Sequence, residues 1–181
     1  MKKLGLSLAV LAMSAASTAF AAPVGTITFT GELVTGTCDP TVGGAASGSV
    51  TLPSVNGKAL AAPGDTAGDS AFKITLTGPG CDAGGKIANP YFEPETAKVN
   101  PAGRLINTET DTDMVDIQLL TDAGTVIDIN KPFGTQEASA PVAAGPDTND
   151  FNYKARYYAA ADASAAAGAV AASVSYNILY K

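Results

Sequence analysis

Few residues of this 181-residue chain could carry out covalent or metal chemistry. The sequence has no histidine, so neither a Ser-His-Asp triad nor a Cys-His pair can be assembled. It has two cysteines, Cys38 and Cys81, which are too few for a structural zinc site. Asp111, Asp113 and Asp116 lie close together, but their spacing lacks the glycine and the distal glutamate of a calcium-binding EF-hand loop. We therefore predict no catalytic residue, metal or other cofactor, and interpret the acidic cluster as a solvated loop.

The first 21 residues have the pattern of a secretory signal peptide. Lys2 and Lys3 precede an apolar run over residues 4–11, and Ala19-Phe20-Ala21 provides a small-residue cleavage site. The apolar run is too short to span a bilayer. We expect cleavage after Ala21, which leaves a mature chain of 160 residues. That length suits one domain with one core.

Export gives the two cysteines a predicted role. In an oxidising compartment an even cysteine count indicates a disulfide, so we predict a bond between Cys38 and Cys81. Closing a loop of that length would stabilise the fold by about 4 kcal/mol in the chain-entropy description. Loss of the leader also leaves nine basic against 17 acidic residues, a formal charge of −8. Such a surface argues against nucleic acid and anionic membranes as partners.

Strands at the two ends of the mature chain are the elements that the sequence indicates most clearly. Near the C-terminus apolar and mostly polar side chains alternate, and this period of two predicts a half-buried β-strand. Its apolar series is Val170, Ala172, Val174, Tyr176, Ile178 and Tyr180. Near the mature N-terminus a second apolar series consists of Ile27, Phe29, Gly31 and Leu33. The central glycine is unusual, because glycine weakens a strand unless another backbone or a bulky group comes close.

The sequence between these ends predicts short strands joined by turns. The predicted strands cover residues 48–55, 71–77, 86–92 and 151–158, with a hairpin over 111–129 that turns at 122–124. We predict loops over 62–70 and over the alanine-rich residues 159–168, since Gly168 and a period of two follow the latter. Small side chains with many turn formers are typical of an all-β sandwich.

Both terminal segments resemble motifs of pilin subunits from chaperone–usher (type 1-like) fimbriae. The family's C-terminal signature has a penultimate tyrosine and a glycine fourteenth from the end, with alternating apolar residues between them. Tyr180 and Gly168 match the first two features, and Val174, Tyr176 and Ile178 match the third. The N-terminal segment resembles the family's N-terminal extension, which has alternating apolar residues, a central glycine and then a cysteine. The cysteine pair, the length and the leader extend the resemblance over essentially the whole mature chain.

The resemblance implies an incomplete immunoglobulin-like β-sandwich that lacks its last strand and is completed by donor-strand exchange. Residues 22–34 would be a donor-strand extension that runs into the first strand, and residues 35–181 the pilin domain. The residues of the donor strand that face the groove would be Ile27, Phe29, Gly31 and Leu33. The strand at the edge of the groove, with which a chaperone also pairs, would contain Gly168, Val170, Val174, Tyr176, Ile178 and Tyr180.

The implied function is that of a non-enzymatic structural subunit that polymerises into a fimbrium and supports cell adhesion. Expected partners are identical or related pilin subunits, a periplasmic chaperone and an outer-membrane usher, with no nucleic acid and no small-molecule substrate. The expected route is export through the periplasm to the cell surface. A minor or tip-adaptor pilin and a freestanding secreted immunoglobulin-like binding module are the alternatives. The missing histidine argues against a small exported hydrolase.

Overall fold

The computed structural model describes residues 28–33, 38–78, 81–83, 86–137, 142–145, 148–164 and 166–180. The predicted leader and Ile27 lie outside these ranges. The chain divides into two units, Met1–Leu33 and Val34–Lys181.

The second unit is built from β-strands. They are β1 Asp39–Val42, β2 Thr66–Thr77, β3 Asp82–Ala83, β4 Lys86–Phe92, β5 Val115–Thr121, β6 Val142–Gly145, β7 Thr148–Ala159 and β8 Tyr176–Tyr180. Two short 3₁₀ helices cover Gly57–Leu60 and Thr110–Thr112. Within the described ranges no helix has the length and apolar character needed to cross a membrane.

The strands form two sheets with antiparallel ladders throughout. The larger sheet has the order β1-β2-β7-β5, with β6 also pairing β7, and the smaller has the order β3-β4-β8. The longest ladder joins β2 and β7, from the pair Thr66–Tyr158 to the pair Thr77–Thr148. The smaller sheet pairs β8 with β4 over residues 176–180 and 88–92.

The main core is filled by side chains of both sheets, and in β2 and β7 these alternate as the predicted period of two requires. Ile74 and Leu76 of β2 and Phe151 and Tyr153 of β7 are almost completely buried. Phe92 of β4 meets the ring of Tyr153 edge to face, with 5.2 Å between ring centroids. The predicted faces of residues 71–77 and 151–158 are thereby confirmed.

The predicted disulfide is confirmed. Cys38 and Cys81 are bonded, with 4.9 Å between their Cα atoms. Cys38 directly precedes β1 of the larger sheet and Cys81 directly precedes β3 of the smaller one. The bond therefore connects the two layers near the point where the described fold begins.

Three predictions about local structure are wrong. Residues 48–55 belong to no strand, and β2 begins at Thr66, within the predicted loop. The early part of β2 contains poor strand formers, but its pairing with β7 outweighs their propensity. Asp116 is not in a solvated loop: it is buried in β5, where its Oδ2 lies 2.9 Å from Nε of Arg104.

Candidate subunit-docking groove

A groove of about 900 Å³ with an apolar floor opens beside β8. Two continuous stretches of chain line it, residues 46–52 and residues 170–178, and we call these its two rims. Core side chains from both sheets and from the loop before β5 form its floor. The floor residues are Phe72, Ile74, Phe92, Leu105, Ile117, Leu119 and Tyr157.

The backbone of β8 presents an open edge to this groove. The N–H of Glu93 donates to the carbonyl of Ser175 at 2.9 Å, which identifies that pair as hydrogen-bonded. Bonded and non-bonded pairs alternate along an antiparallel ladder, so Tyr176 and Ile178 occupy non-bonded positions. Their N–H and C=O groups therefore point away from β4. Because β8 ends the strand order of its sheet, no described strand pairs with that edge.

Residues 170–174, just before β8, keep the alternation of core-facing and outward side chains but form no ladder. Val170, Ala172 and Val174 are half-buried and pack on the core. On the side away from the groove, the Ala171 carbonyl accepts from the N–H of Thr108 at 2.8 Å. The predicted two-faced pattern is confirmed here, although the ladder itself covers only Tyr176–Tyr180.

The rim at residues 46–52 is held by a tight turn after β1. Backbone hydrogen bonds join Val42 and Ala45 in both directions, at 2.7 and 3.3 Å. A Cβ atom at Gly48 would collide with the carbonyl oxygen and side chain of Val42, so glycine allows this close approach. Leu52 packs partly buried against the core.

Gln136 fixes Phe92 in the groove floor. Its Oε1 accepts from the N–H of Phe92 at 3.0 Å, and its Nε2 donates to the Phe92 carbonyl at 3.0 Å. Nε2 also donates to the carbonyl of Ile129 at 3.1 Å. The Gln136 side chain is buried and acts as a substitute for a neighbouring strand on the edge of β4 that faces away from β8.

Tyr176 carries a buried polar group beside the groove. Its ring lines the groove and packs on the core, and burial raises the pKa of its hydroxyl. The hydroxyl oxygen is shielded from solvent and has no hydrogen-bond partner in the part of the chain that the structure describes. Buried polar groups normally have partners, so this hydroxyl requires an explanation.

The N-terminal segment exposes large apolar side chains. Phe29 is 89% exposed and Leu33 is 101% exposed relative to the reference state. Among the residues that the structure describes, no heavy atom other than those of its chain neighbours lies within 4 Å of a Cβ built at Gly31. Residues 28–33 form no strand in the structure, but in an extended strand Phe29 and Leu33 would lie on the same face.

The structure brings together only some of the residues that the sequence singles out. Val170, Val174, Tyr176 and Ile178 line the groove. Tyr180 packs on the core, whereas Gly168 is exposed beside Asp111 and Thr112, with a φ of +153°. Sequence reasoning missed the groove floor and the rim at 46–52, because alternation identifies core-facing side chains but not those left uncovered.

Comparison with known proteins identifies the family. A family model described as "Type-1 fimbrial protein, A" (FimA) matches residues 52–181. The chain belongs to the type-1 fimbrial protein family. It is 38% identical over 174 residues to the major fimbrial subunit SMF-1 of Stenotrophomonas maltophilia (strain K279a), covering 93% of this chain and 99% of that protein. It is 35% identical over 185 residues to the F17 fimbrial protein of Escherichia coli, covering 100% of both.

Solved structures of pilus subunits share the fold of this fimbrial subunit. The P pilus rod subunit PapA matches with a TM-score of 0.54 at 20% identity, over 87% of this chain and 99% of that one. A chain from a chaperone–usher pilus matches with a TM-score of 0.55 at 20% identity, over 87% and 95%. These findings confirm an all-β, immunoglobulin-like pilin fold. The family model and the curated relatives confirm the role of a structural fimbrial subunit.

Proposed function

We propose that this fimbrial subunit polymerises by donor-strand complementation, with residues 22–34 of one copy inserted into the groove of the next. The observation that carries the proposal is the open backbone edge of β8 beside a groove of about 900 Å³ that exposes core side chains. Donor-strand complementation of pilins is an established form of β-augmentation, in which an added strand supplies main-chain hydrogen bonds.

The energetics of such a junction are favourable. The incoming strand would pair the backbone groups of β8 that point away from β4. It would also bury Ile27, Phe29 and Leu33, of which the latter two are fully exposed in the structure. Burial contributes about 1.5–3 kcal/mol per side chain, or roughly 5–9 kcal/mol per junction as an upper bound.

The position of donor and acceptor on one chain determines the kind of assembly. Each copy offers a donor segment and a separate groove, so the contact between copies is heterologous. Heterologous contacts that do not close into a ring produce a filament. The partners are therefore identical or related pilin subunits, and the assembled product is an extracellular fimbrium that supports adhesion.

An exported subunit with an open strand edge must have that edge covered by another strand before assembly, because an unpaired edge is a template for aggregation. A periplasmic chaperone that pairs a strand with β8 would provide this cover, and an outer-membrane usher would exchange that strand for the donor segment. In this assembly the chain has no catalytic role. Its functional residues are the exposed donor face and the edge around Val174, Tyr176 and Ile178.

A pair of charge substitutions on the donor segment tests the proposal. Phe29→Asp would place a carboxylate in the apolar groove, and we expect it to abolish fibres while folded subunit persists. Thr28→Asp adds the same charge on the opposite face of the segment and should still give fibres. Electron microscopy of cells and gels of heat-treated polymer report the outcome. Normal fibres from Phe29→Asp would contradict the donor assignment.

A further inference from the structure

We infer that Asn107 is a positioning residue for the docking groove. Its side chain holds residues 169–171 from the side away from the groove, so that Val170 and Ala172 present their backbone to an incoming strand. The inference rests on the proposed donor-strand function and adds to it the residue on which one part of the acceptor edge depends.

The support behind this rim changes where β4 ends. β4 backs β8 as far as the bond from the N–H of Glu93 to the carbonyl of Ser175. Pro94 follows, which has no N–H, and in the described part of the chain no strand pairs with residues 169–174. Residues 170–174 are nevertheless more than half of the rim, so a contact other than a strand must hold them.

Asn107 provides this contact together with its neighbours. Its Oδ1 accepts from the N–H of Ala171 at 3.0 Å, and the N–H of Thr108 donates to the Ala171 carbonyl at 2.8 Å. Both backbone groups of Ala171 are thus paired, as a backing strand would pair them. The hydroxyl of Thr112 donates to the carbonyl of Ala169 and adds a second point of attachment.

Hydrogen bonds hold the Asn107 amide itself in one orientation. The side chain is buried, and its Nδ2 donates to the carbonyl and to Oγ1 of Thr112 at 2.7 and 2.8 Å. Oδ1 accepts a second bond, from the N–H of Glu109 at 3.1 Å. The amide cannot turn without losing bonds in a buried site, which is costly. Ala171 is therefore attached to a fixed point.

The alternation of an extended chain converts this attachment into an open edge. Ala169, Ala171 and Ser175 all form hydrogen bonds on the side away from the groove. Successive residues direct their N–H and C=O groups to opposite sides, so those of Val170 and Ala172 point toward the groove.

The open edge is thus held in two parts by two different supports. Residues 22–34 are long enough to pair along all of residues 170–178. β4 supports only the β8 part of this edge, and Asn107 supports the part before it. Without the Asn107 amide, an incoming strand should still pair with β8 but lose its ordered partner in residues 170–174.

Amide hydrogen exchange followed by NMR tests the inference. The full-length subunit carries Phe29→Asp, which removes its working donor, and is saturated with a synthetic peptide of residues 22–34. The peptide should protect the even-numbered amides both of residues 170–174 and of β8. Adding Asn107→Ala should speed exchange in residues 170–174 at least about fivefold, the usual effect of losing one hydrogen bond, and leave β8 protected. A residue that only stabilised the fold would change both parts alike.

Asn100→Ala is the matched control. Asn100 also holds a loop with its side chain, through bonds to the N–H groups of Ala102 and Arg104 and to Oδ2 of Asp116, none of which lies in a rim of the groove. Its replacement should not speed exchange in residues 170–174 relative to β8.

A second variant tests the same network with a smaller change. Thr112→Val removes one hydroxyl that bonds both Asn107 and Ala169, and it should also speed exchange selectively in residues 170–174. Because it keeps the shape of the side chain, it tests the inference even if Asn107→Ala does not fold.

The outcomes separate this inference from the function on which it rests. Selective acceleration in residues 170–174, absent from Asn100→Ala, supports the positioning role. No acceleration, equal acceleration in β8, or the same selective acceleration in Asn100→Ala would overturn it and leave donor-strand assembly intact. If the peptide protects neither part before Asn107 is changed, donor-strand assembly itself is overturned.

Discussion

Asp150 of β7 shows how one side chain links two strands of the larger sheet. Its carboxylate accepts hydrogen bonds from Lys73 Nζ at 2.7 Å and from Thr75 Oγ1 at 2.6 Å, both on β2. These bonds, the one from Lys73 first, hold the pKa of Asp150 below its usual value. Because Lys73 is half exposed, solvent screens much of the ionic attraction, and the hydroxyl bond is the better protected contact.

This lowered pKa predicts an acid-dependent loss of stability. A carboxylate whose pKa is lower in the folded state stabilises the fold above its unfolded pKa of about 3.9. The stabilisation is lost as the pH falls through the folded pKa. We expect the melting temperature to fall below about pH 4, and less steeply in Asp150→Asn. Melting curves by circular dichroism measure this, with the exposed Asp69→Asn of β2 as control. An equally steep fall in Asp150→Asn would contradict the assignment.

At the scale of elements, the two outer edges of the β4–β8 strand pair differ in whether they can accept a further strand. Pro90 of β4 lies opposite Ile178 at a non-bonded position, so its missing N–H falls on the side away from β8. On that same side, the amide of Gln136 pairs the backbone of Phe92. A proline and a glutamine thus block further pairing along the far side of β4, while the free edge of β8 stays available to a partner strand.

Removing the Gln136 amide should therefore destabilise the fold. Gln136→Ala would leave the buried N–H and C=O of Phe92 unpaired, and we expect a loss of about 2 kcal/mol or more in the free energy of unfolding. Gln136→Glu retains an acceptor for the N–H but lacks the donor, so its loss should be intermediate when the carboxyl is ionised. Chemical denaturation of the peptide-bound subunit measures both. A loss under about 0.5 kcal/mol for Gln136→Ala would show that the pairing is dispensable.

Which faces are buried could be predicted from the sequence, but which edges stay open could not. Alternation places Ile74, Phe151 and Tyr176 correctly, because a period of two follows from strand geometry alone. Residues 48–55 have a strand-like pattern but lack a ladder partner in the described chain, and no local signal reports that. The role of Gln136 could not be predicted from the sequence either, because its side chain pairs with the backbone of Phe92, 44 residues away.

At the scale of the whole molecule, donor and acceptor should be separable by mutation. Phe29→Asp removes the donor and keeps the groove, whereas Val174→Asp charges the groove and keeps the donor. Neither variant alone should form a donor-strand junction with a copy of itself. Mixed together they should form a one-to-one dimer and nothing longer, because only one functional junction can form between them.

Size-exclusion chromatography with light scattering measures the mass of the mixture, and circular dichroism checks that each variant is folded. Two copies of Phe29→Asp, or two of Val174→Asp, provide the matched controls and should give no dimer. Trimers or longer species in the mixture would contradict a single junction per pair.

In a fibre of such subunits the disulfide would also carry mechanical load. A pull along the fibre would reach each subunit through its leading segment and arrive first at Cys38. There the load divides, because the bond to Cys81 carries part of it across to the second layer without passing through β1. In such a fibre the four-residue β1 would carry less of the load that pulls it away from β2. Reduction of that bond should lower the unfolding force of a single subunit in an optical trap more than it lowers its thermal stability.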